Sequence, residues 1–330
     1  MKAIVITKPG GPQVLEICAV PDPVPGTGEI LVAVRATALN RADLLQRRGR
    51  YPAPPGCPAD IPGLEFAGVV ESCGQGASLF RPGDRVMGLL GGGGYAEKVA
   101  VHEGCCLPVP ADGDFTGAAA FPEAFLTAYD ALFARGGLTA GEILLVHAAA
   151  SGVGTAALQI ARLAGARTIA TSRTVEKRRR LAGMAGCTAL DPAAPDFAEE
   201  IRDATQGRGV NVVLELLGAS TWELDLSVLA ERGRIVVVAT MTGSTVSLDL
   251  STLMRRRATV VGTVLRGRPI EEKIALVRSF AAWTASCPGA ERLAAVVDRV
   301  LPIERASEAH ALMEKNENFG KIVLVWGGAA

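Results

Sequence analysis

The chain has 330 residues, 49% apolar and 21% charged, with 34 Lys and Arg against 34 Asp and Glu. At roughly 100–200 residues per domain this length suggests two domains, each able to bury a core without cross-links. The composition excludes a disordered chain or a small disulfide scaffold, and the zero net charge leaves no global field for nucleic acid or an anionic membrane.

Residues 3–6 and 29–34 read as strands, separated by the proline-rich loop 21–26. A second irregular loop, 50–63, carries Pro52, Pro54, Pro55, Pro58 and Pro62. Strands follow at 66–71 and after the turn at 81–86, and the glycine run 91–94 precedes a further β-rich stretch at 95–100. The first 110 residues therefore predict strands and turns with little helix. The texture changes near Phe121-Pro122. Strands at 142–147, 167–171, 210–215 and 233–238 alternate with helices at 155–162 and 175–185, which predicts βαβ units around a parallel sheet. An apolar-periodic helix through Ile274, Val277 and Phe280, a helix at 307–314 and a strand at 321–326 close the chain.

Seven irregularly spaced cysteines with no CxxC pair read as free thiols of a reducing compartment, and a cytoplasmic location is expected. The apolar start is too short for a signal peptide. The longest stretch free of Asp, Glu, Lys and Arg, 143–161, is broken by His147, Ser151, Gly152 and Gly154, so no transmembrane helix is expected. Arg178–Arg180 and Arg255–Arg257 read as solvated faces.

The turn Ala148-Ala149-Ala150-Ser151-Gly152-Val153-Gly154 follows a buried strand and opens a helix. Backbone N–H groups and a positive helix end at such a place receive a dinucleotide pyrophosphate. The usual glycine fingerprint falls on Ala149, Ser151 and Gly154, and only its third glycine is present, so the βαβ context carries the reading. An ordinary βα turn is the alternative. The next strand tip lacks the acid that would accept from a ribose 2′-hydroxyl. Ser172, Arg173 and Lys177 suit a 2′-phosphate instead, which favours NADPH over NADH, although the two cations also fit a solvated surface.

The order of a strand-rich N-terminal region, this turn, and a short return resembles the medium-chain dehydrogenase/reductase superfamily. The stretch 141–162 resembles the zeta-crystallin-like quinone oxidoreductases, with Ser151 where many members carry glycine. Ala38–Leu44, Gln46–Tyr51, Gly63-Leu64-Glu65, the Gly91–Tyr95 turn, Pro122–Ala128 and Asn318–Leu324 extend the likeness over nearly the whole chain. The branch it resembles most is the tumour-suppressor-inducible quinone oxidoreductases. The resemblance implies an α/β fold: a Rossmann doubly wound parallel sheet at 123–267, plus a GroES-like strand-rich catalytic domain at 1–122 and 268–330. It also implies a homodimer, with sheet edges near Val260–Val264 as the contact.

Alcohol dehydrogenases of this superfamily use Gly-His-Glu, whose His binds catalytic zinc. Here Leu64 stands at that place, the structural-zinc cysteines are missing, and His102, His147 and His310 are scattered, so no metal is expected. His147 reads as a packed core residue rather than a base. Where family members carry a tyrosine near the adenosine phosphate this chain has Pro192, which weakens the NADPH preference.

Asn40, Tyr51 and Ser151 are the candidate catalytic residues. The Asn40 amide could bond an acceptor oxygen or cap the following helix. Tyr51 could flank a planar quinone or simply anchor its loop. Thr127, Ser151, Gly152, Val153, Gly154, Ser172, Arg173, Lys177, Gly218, Thr240, Met241, Leu265, Arg266 and Asn318 form the candidate cofactor set. Thr127 could instead bond backward within a helix, and Arg266 could be a surface charge. The expected reaction is hydride transfer from NADPH to a small-molecule quinone, by one electron or two. Reduction of an alkenal or enone double bond and a low-turnover NADPH sensor are the alternatives.

Overall fold

The computed structural model describes residues 1–184 and 186–327. They form two compact units. One comprises Met1–Leu126, Leu265–Trp283 and residues from Ala294 onward; the other comprises Thr127–Val264 and Thr284–Leu293.

The first unit is built on a mostly antiparallel seven-stranded sheet. Its order is Val297–Pro302, Lys321–Val325, Glu29–Ala38, Glu65–Cys73, Arg85–Leu89, Cys106–Pro108, with Lys98–His102 also paired to Glu29–Ala38. Burial along Glu29–Val34 alternates, as period-2 side chains on a half-covered sheet must. Ile30, Val32, Val34, Phe66, Val70 and Val86 fill one core on this sheet. The hairpin Lys2–Ile6/Leu15–Ala19 and the helix Ala306–Glu314 cover a second, around Leu39, Leu44 and Tyr95. The helix Arg41–Arg47 follows Asn40, as the capping alternative requires, while the strand Val297–Pro302 is not legible in the sequence because Asp298 and Arg299 interrupt the apolar pattern.

The second unit is a six-stranded, wholly parallel sheet. Its order is Thr188–Leu190, Arg167–Thr171, Ile143–Val146, Val210–Glu215, Leu229–Val237, Thr259–Gly262. Numbered along the chain this is 3-2-1-4-5-6, the order of dinucleotide-binding sheets, with the switch point beside Ile143–Val146. All four residues of that strand are buried, as a strand covered on both faces requires. The helices Gly152–Leu163, Val175–Gly183, Phe197–Ala204, Trp222–Val228 and Leu250–Arg256 lie in the five crossovers, and Phe197, Ile201 and Trp222 pack on Ile143, Leu145, Val213 and Ile235. Among the described residues no helix is long and apolar enough to cross a membrane.

Candidate functional site

The nucleotide turn lies where the sequence places it, at the carboxyl end of Ile143–Val146. Ser151 is the N-cap of the helix Gly152–Leu163: its Oγ accepts from the Gly154 N–H at 3.0 Å. Ala148 takes φ +47°, and Ala149 N–H donates to Thr171 O on the neighbouring strand at 3.1 Å. A Cβ on Gly154 would lie 2.6 Å from the Ala149 backbone, so the turn and the helix can approach only because residue 154 has none. Gly154→Ala is expected to destabilise this unit by about 1–3 kcal/mol, the cost of an overpacked contact. Chemical denaturation checks this, and an unchanged midpoint would contradict the tight approach.

Beneath the turn, His147, Glu215 and Asp225 are fully buried. His147 Nε2 is 2.7 Å from Asp225 Oδ1, and its Nδ1 is 3.2 Å from Thr171 Oγ1. Glu215 accepts from the N–H groups of Leu217 and Gly218 and, at 2.6 Å, from the Thr221 hydroxyl. Burial lowers the His147 pKa and raises those of Glu215 and Asp225 to about 7. These three side chains bring donor atoms within 4.8 Å of one another and could by composition hold a cation. Their atoms turn instead on each other and on the backbone, which reads as a hydrogen-bonded floor to the turn. Gly218 is part of it: its φ is +90°, and a Cβ there would meet the Gly243 carbonyl at 2.4 Å.

At the next strand tip Thr171 and Ser172 are buried and Arg173 is exposed. Arg178, expected from the sequence to belong to a solvated face, is half-buried and fastens this loop: it donates to the carbonyls of Ser172 (2.8 Å) and Arg173 (2.9 Å) and pairs with Asp191 at 2.8 Å. Among the described residues Arg173 has no ion-pair partner, while Lys177 is half-buried. Gly152 and Val153 are also half-buried, Thr127 is buried, and Thr240 and Met241 are exposed beyond Leu229–Val237. These residues fit a dinucleotide: a close-packed turn, N–H groups of a 12-residue helix and an uncommitted cation.

Asn40, Tyr51, Leu265, Arg266 and Asn318 lie in the strand-rich unit. Asn40 is the N-cap residue of Arg41–Arg47 and forms a capping box with Asp43, whose carboxylate accepts from the Asn40 N–H at 2.7 Å. Its Nδ2 donates to Glu65 Oε1 (2.9 Å) and Ala38 O (3.3 Å), and its Oδ1 accepts from Lys321 Nζ at 2.6 Å. The amide's donors and acceptor are thus engaged with the chain itself. Lys321 and Glu65, both buried, form an ion pair at 2.6 Å. Glu65 Oε2 accepts from the Glu123 N–H at 2.9 Å.

Arg266 is 3% exposed, which excludes a surface charge. It donates to Gly91 O (2.8 Å), Tyr51 O (3.1 Å) and Gln46 Oε1 (2.6 Å), and its guanidinium lies 5.1 Å from the Tyr51 ring centroid. It therefore fixes the proline-rich loop and presents the half-buried Tyr51 ring. Leu265 is buried beside it in the chain. The Asn318 side chain bonds its own turn, at Gly320 O (2.7 Å). Asp43 accepts from the N–H groups of Asn40 (2.7 Å) and Gly63 (3.0 Å). His310 sits between Arg47 and Tyr95 at 3.2 Å from each, and burial pushes its pKa down to about 3.

The parallel sheet with its nucleotide turn, joined in one chain to the strand-rich unit, defines the medium-chain dehydrogenase/reductase superfamily. Two family models match: "Alcohol dehydrogenase GroES-like domain" over residues 26–111 and "Zinc-binding dehydrogenase" over 152–282. Within the superfamily the chain belongs to the quinone-oxidoreductase-like family. It is 33% identical to the quinone oxidoreductase of Rattus norvegicus over 237 residues, 71% of this chain and 72% of that protein. Phthioceranic/hydroxyphthioceranic acid synthases of Mycobacterium tuberculosis and Mycobacterium bovis are 38% identical over 229 residues, and the match spans only 11% of their length. Among solved structures, one of an NAD-dependent alcohol dehydrogenase has a TM-score of 0.87 at 32% identity, covering 99% of this chain and all of that one. Mycobacterial Rv1454c, solved as a complex with NADPH, has 0.86 at 31%, covering 98% and 100%.

Proposed function

We propose that the protein is a zinc-independent NADPH:quinone oxidoreductase, with the parallel-sheet unit as the NADPH domain and the strand-rich unit as the catalytic domain. The observation that carries the reading is the nucleotide turn followed by a strand tip with no acid and an uncommitted Arg173. Family membership supports the oxidoreductase class, and the complex of Rv1454c supports the cofactor. Bound NADPH supplies a hydride. The chain's own contribution is placement: the N–H groups of Gly152 and Val153 meet the pyrophosphate, and Arg173, with Ser172 and Lys177, takes the 2′-phosphate. Tyr51, held by Arg266, flanks a flat acceptor, and orientation and exclusion of water carry most of the rate. Leu64, buried where the zinc-using members place a ligand, supports a reaction without that metal. The edge strand Thr259–Gly262 leaves Val260 exposed and supports pairing of two copies there.

Oxidation of NADPH by the purified protein, with 1,2-naphthoquinone and separately with trans-2-hexenal, tests the reading. Turnover with the quinone and a preference over NADH are expected; turnover with the enal alone would move the protein to the double-bond reductases. Arg173→Glu is expected to raise the KM for NADPH by about tenfold or more, the loss of a charge-assisted contact, and to leave that for NADH within about twofold. Equal effects on both cofactors would remove Arg173 from the 2′-phosphate site.

A further inference from the structure

Hydride arriving at either acceptor leaves an anion one proton short, and of the candidate catalytic residues only Tyr51 is ionisable, its hydroxyl raised above the ordinary value of 10 by burial. The strand-rich unit holds a carboxyl group that no other role has claimed. Glu123 sits in the first turn of the helix Pro122–Tyr129. Its backbone is committed: the N–H donates to Glu65 Oε2. Its own carboxyl is half-buried and makes no hydrogen bond or ion pair among the described residues. It lies close enough to Tyr51 that a charge on it would raise the Tyr51 hydroxyl.

We propose that Glu123 is the proton donor of the reaction, a free carboxylic acid set beside the Lys321-paired Glu65 and facing the acceptor that Tyr51 flanks. The inference rests on the reductase reading above. With an enone, hydride adds to the β-carbon as the C=C π bond breaks and its electron pair passes to the carbonyl as an enolate. The Glu123 O–H bond then breaks and a C–H bond forms at the α-carbon. With a quinone, the same proton goes to the hydroquinone oxyanion. In both cases two electrons leave the reduced nicotinamide, the acceptor gains H⁻ and H⁺, and the Glu123 carboxylate regains its proton from water.

The surroundings keep the group neutral. Burial is the first cause, and the negative charge of Glu65 is the second; together they push Glu123 up to about 8. Asp43 adds to this, while Lys321 and Lys273 oppose it. Lys321, the larger of these two opposing charges, has its ammonium held by Glu65 and Asn40. The Arg266 guanidinium is held by Gly91, Tyr51 and Gln46. Two of the nearby cations, Lys321 and Arg266, are thus held by other partners. A carboxylic acid whose pKa lies near the working pH is suited to general acid catalysis.

Two measurements on the full-length protein test this. The first is Glu123→Gln, which keeps the volume and the backbone bond to Glu65 and removes the proton. With trans-2-hexenal as acceptor, kcat is expected to fall by about a hundredfold, the lower end for loss of a general acid, with KM within about threefold. The wild-type decline above about pH 8 should vanish in the variant. A variant with wild-type kcat and the same alkaline limb overturns the proposal. The second does not depend on turnover: a carboxyl titration by NMR on carbon-labelled glutamate, wild type against Glu123→Gln. The resonance absent from the variant should titrate near pH 8. Titration in the ordinary carboxylate range overturns the proposal even if the enzyme is active. Failure of the wild type to reduce either acceptor would instead strike the reductase reading, and the titration would still decide the state of Glu123.

Discussion

Replacing Lys321 by Met is expected to destabilise the strand-rich unit by about 3–5 kcal/mol, the usual result of removing one partner of a buried ion pair. The ammonium is 2.6 Å from Glu65 Oε1 and 2.6 Å from Asn40 Oδ1, and Glu65 is fully buried. Methionine keeps most of the aliphatic stem, so packing changes little. What changes is that Glu65 becomes a buried carboxylate held only by Asn40 Nδ2 and the Glu123 N–H, and Asn40 Oδ1 loses its donor. For a unit of this size the thermal midpoint should fall by on the order of 10 °C. The double variant Lys321→Met/Glu65→Gln should recover about 1–3 kcal/mol of the loss, because the stranded charge is gone. A single variant that unfolds within 1 kcal/mol of wild type (about 2–4 °C), or a double variant with no recovery, would show that the pair is not what holds Asn40 in place.

What was legible in the sequence is local. The buried run Ile143–Val146, the small-residue turn and the helix after it are neighbours in the chain, and each obeys a short-range rule. Ser151 is an N-cap type at an N-cap position, and Gly154 is needed where the helix meets the turn. What was illegible is long-range. Lys321 opens an apolar strand and reads as its solvated end, and nothing near it announces Glu65. Glu65 follows the leucine that stands in place of a metal ligand, and nothing in the sequence around it signals its pairing. Arg266 carries no sign of burial in sequence, since the carbonyls of Gly91 and Tyr51 that hold it belong to distant loops. Glu123 was visible within a family motif, but its unusual protonation arises from burial and from Glu65, which only the folded chain brings close.

The floor of the nucleotide turn gives the second large effect, and its sign is the reverse of an ordinary ion pair's. Asp225 and Glu215 are both buried, and Oδ2 of Asp225 has no hydrogen-bond donor. Glu215 accepts from two N–H groups and a hydroxyl, all of which favour its ionised form. The proton of the pair therefore belongs to Asp225. With the His147 proton on Nε2, donating to Asp225 Oδ1, the Asp225 carboxyl shares its proton with Glu215. Burial raises Asp225 from its ordinary value of 3.8 to about 7. A carboxyl raised on folding keeps its proton in the folded state while the unfolded chain loses it, so stability declines as pH rises from about 4 to 7 and levels off above. Three units on one group correspond to roughly 4 kcal/mol. Asp225→Asn copies the protonated state, since its Nδ2 can donate to Glu215 and its Oδ1 can accept from His147. It should match wild type in the acid range and exceed it by about 2–4 kcal/mol above pH 7, measurable as a thermal midpoint that falls less steeply with pH than that of wild type, the remaining slope belonging to Glu215. If Asp225→Asn instead loses stability at every pH, the aspartate is ionised in the folded protein and pairs with a charged His147. The floor of the turn would then be an ion pair rather than a shared proton.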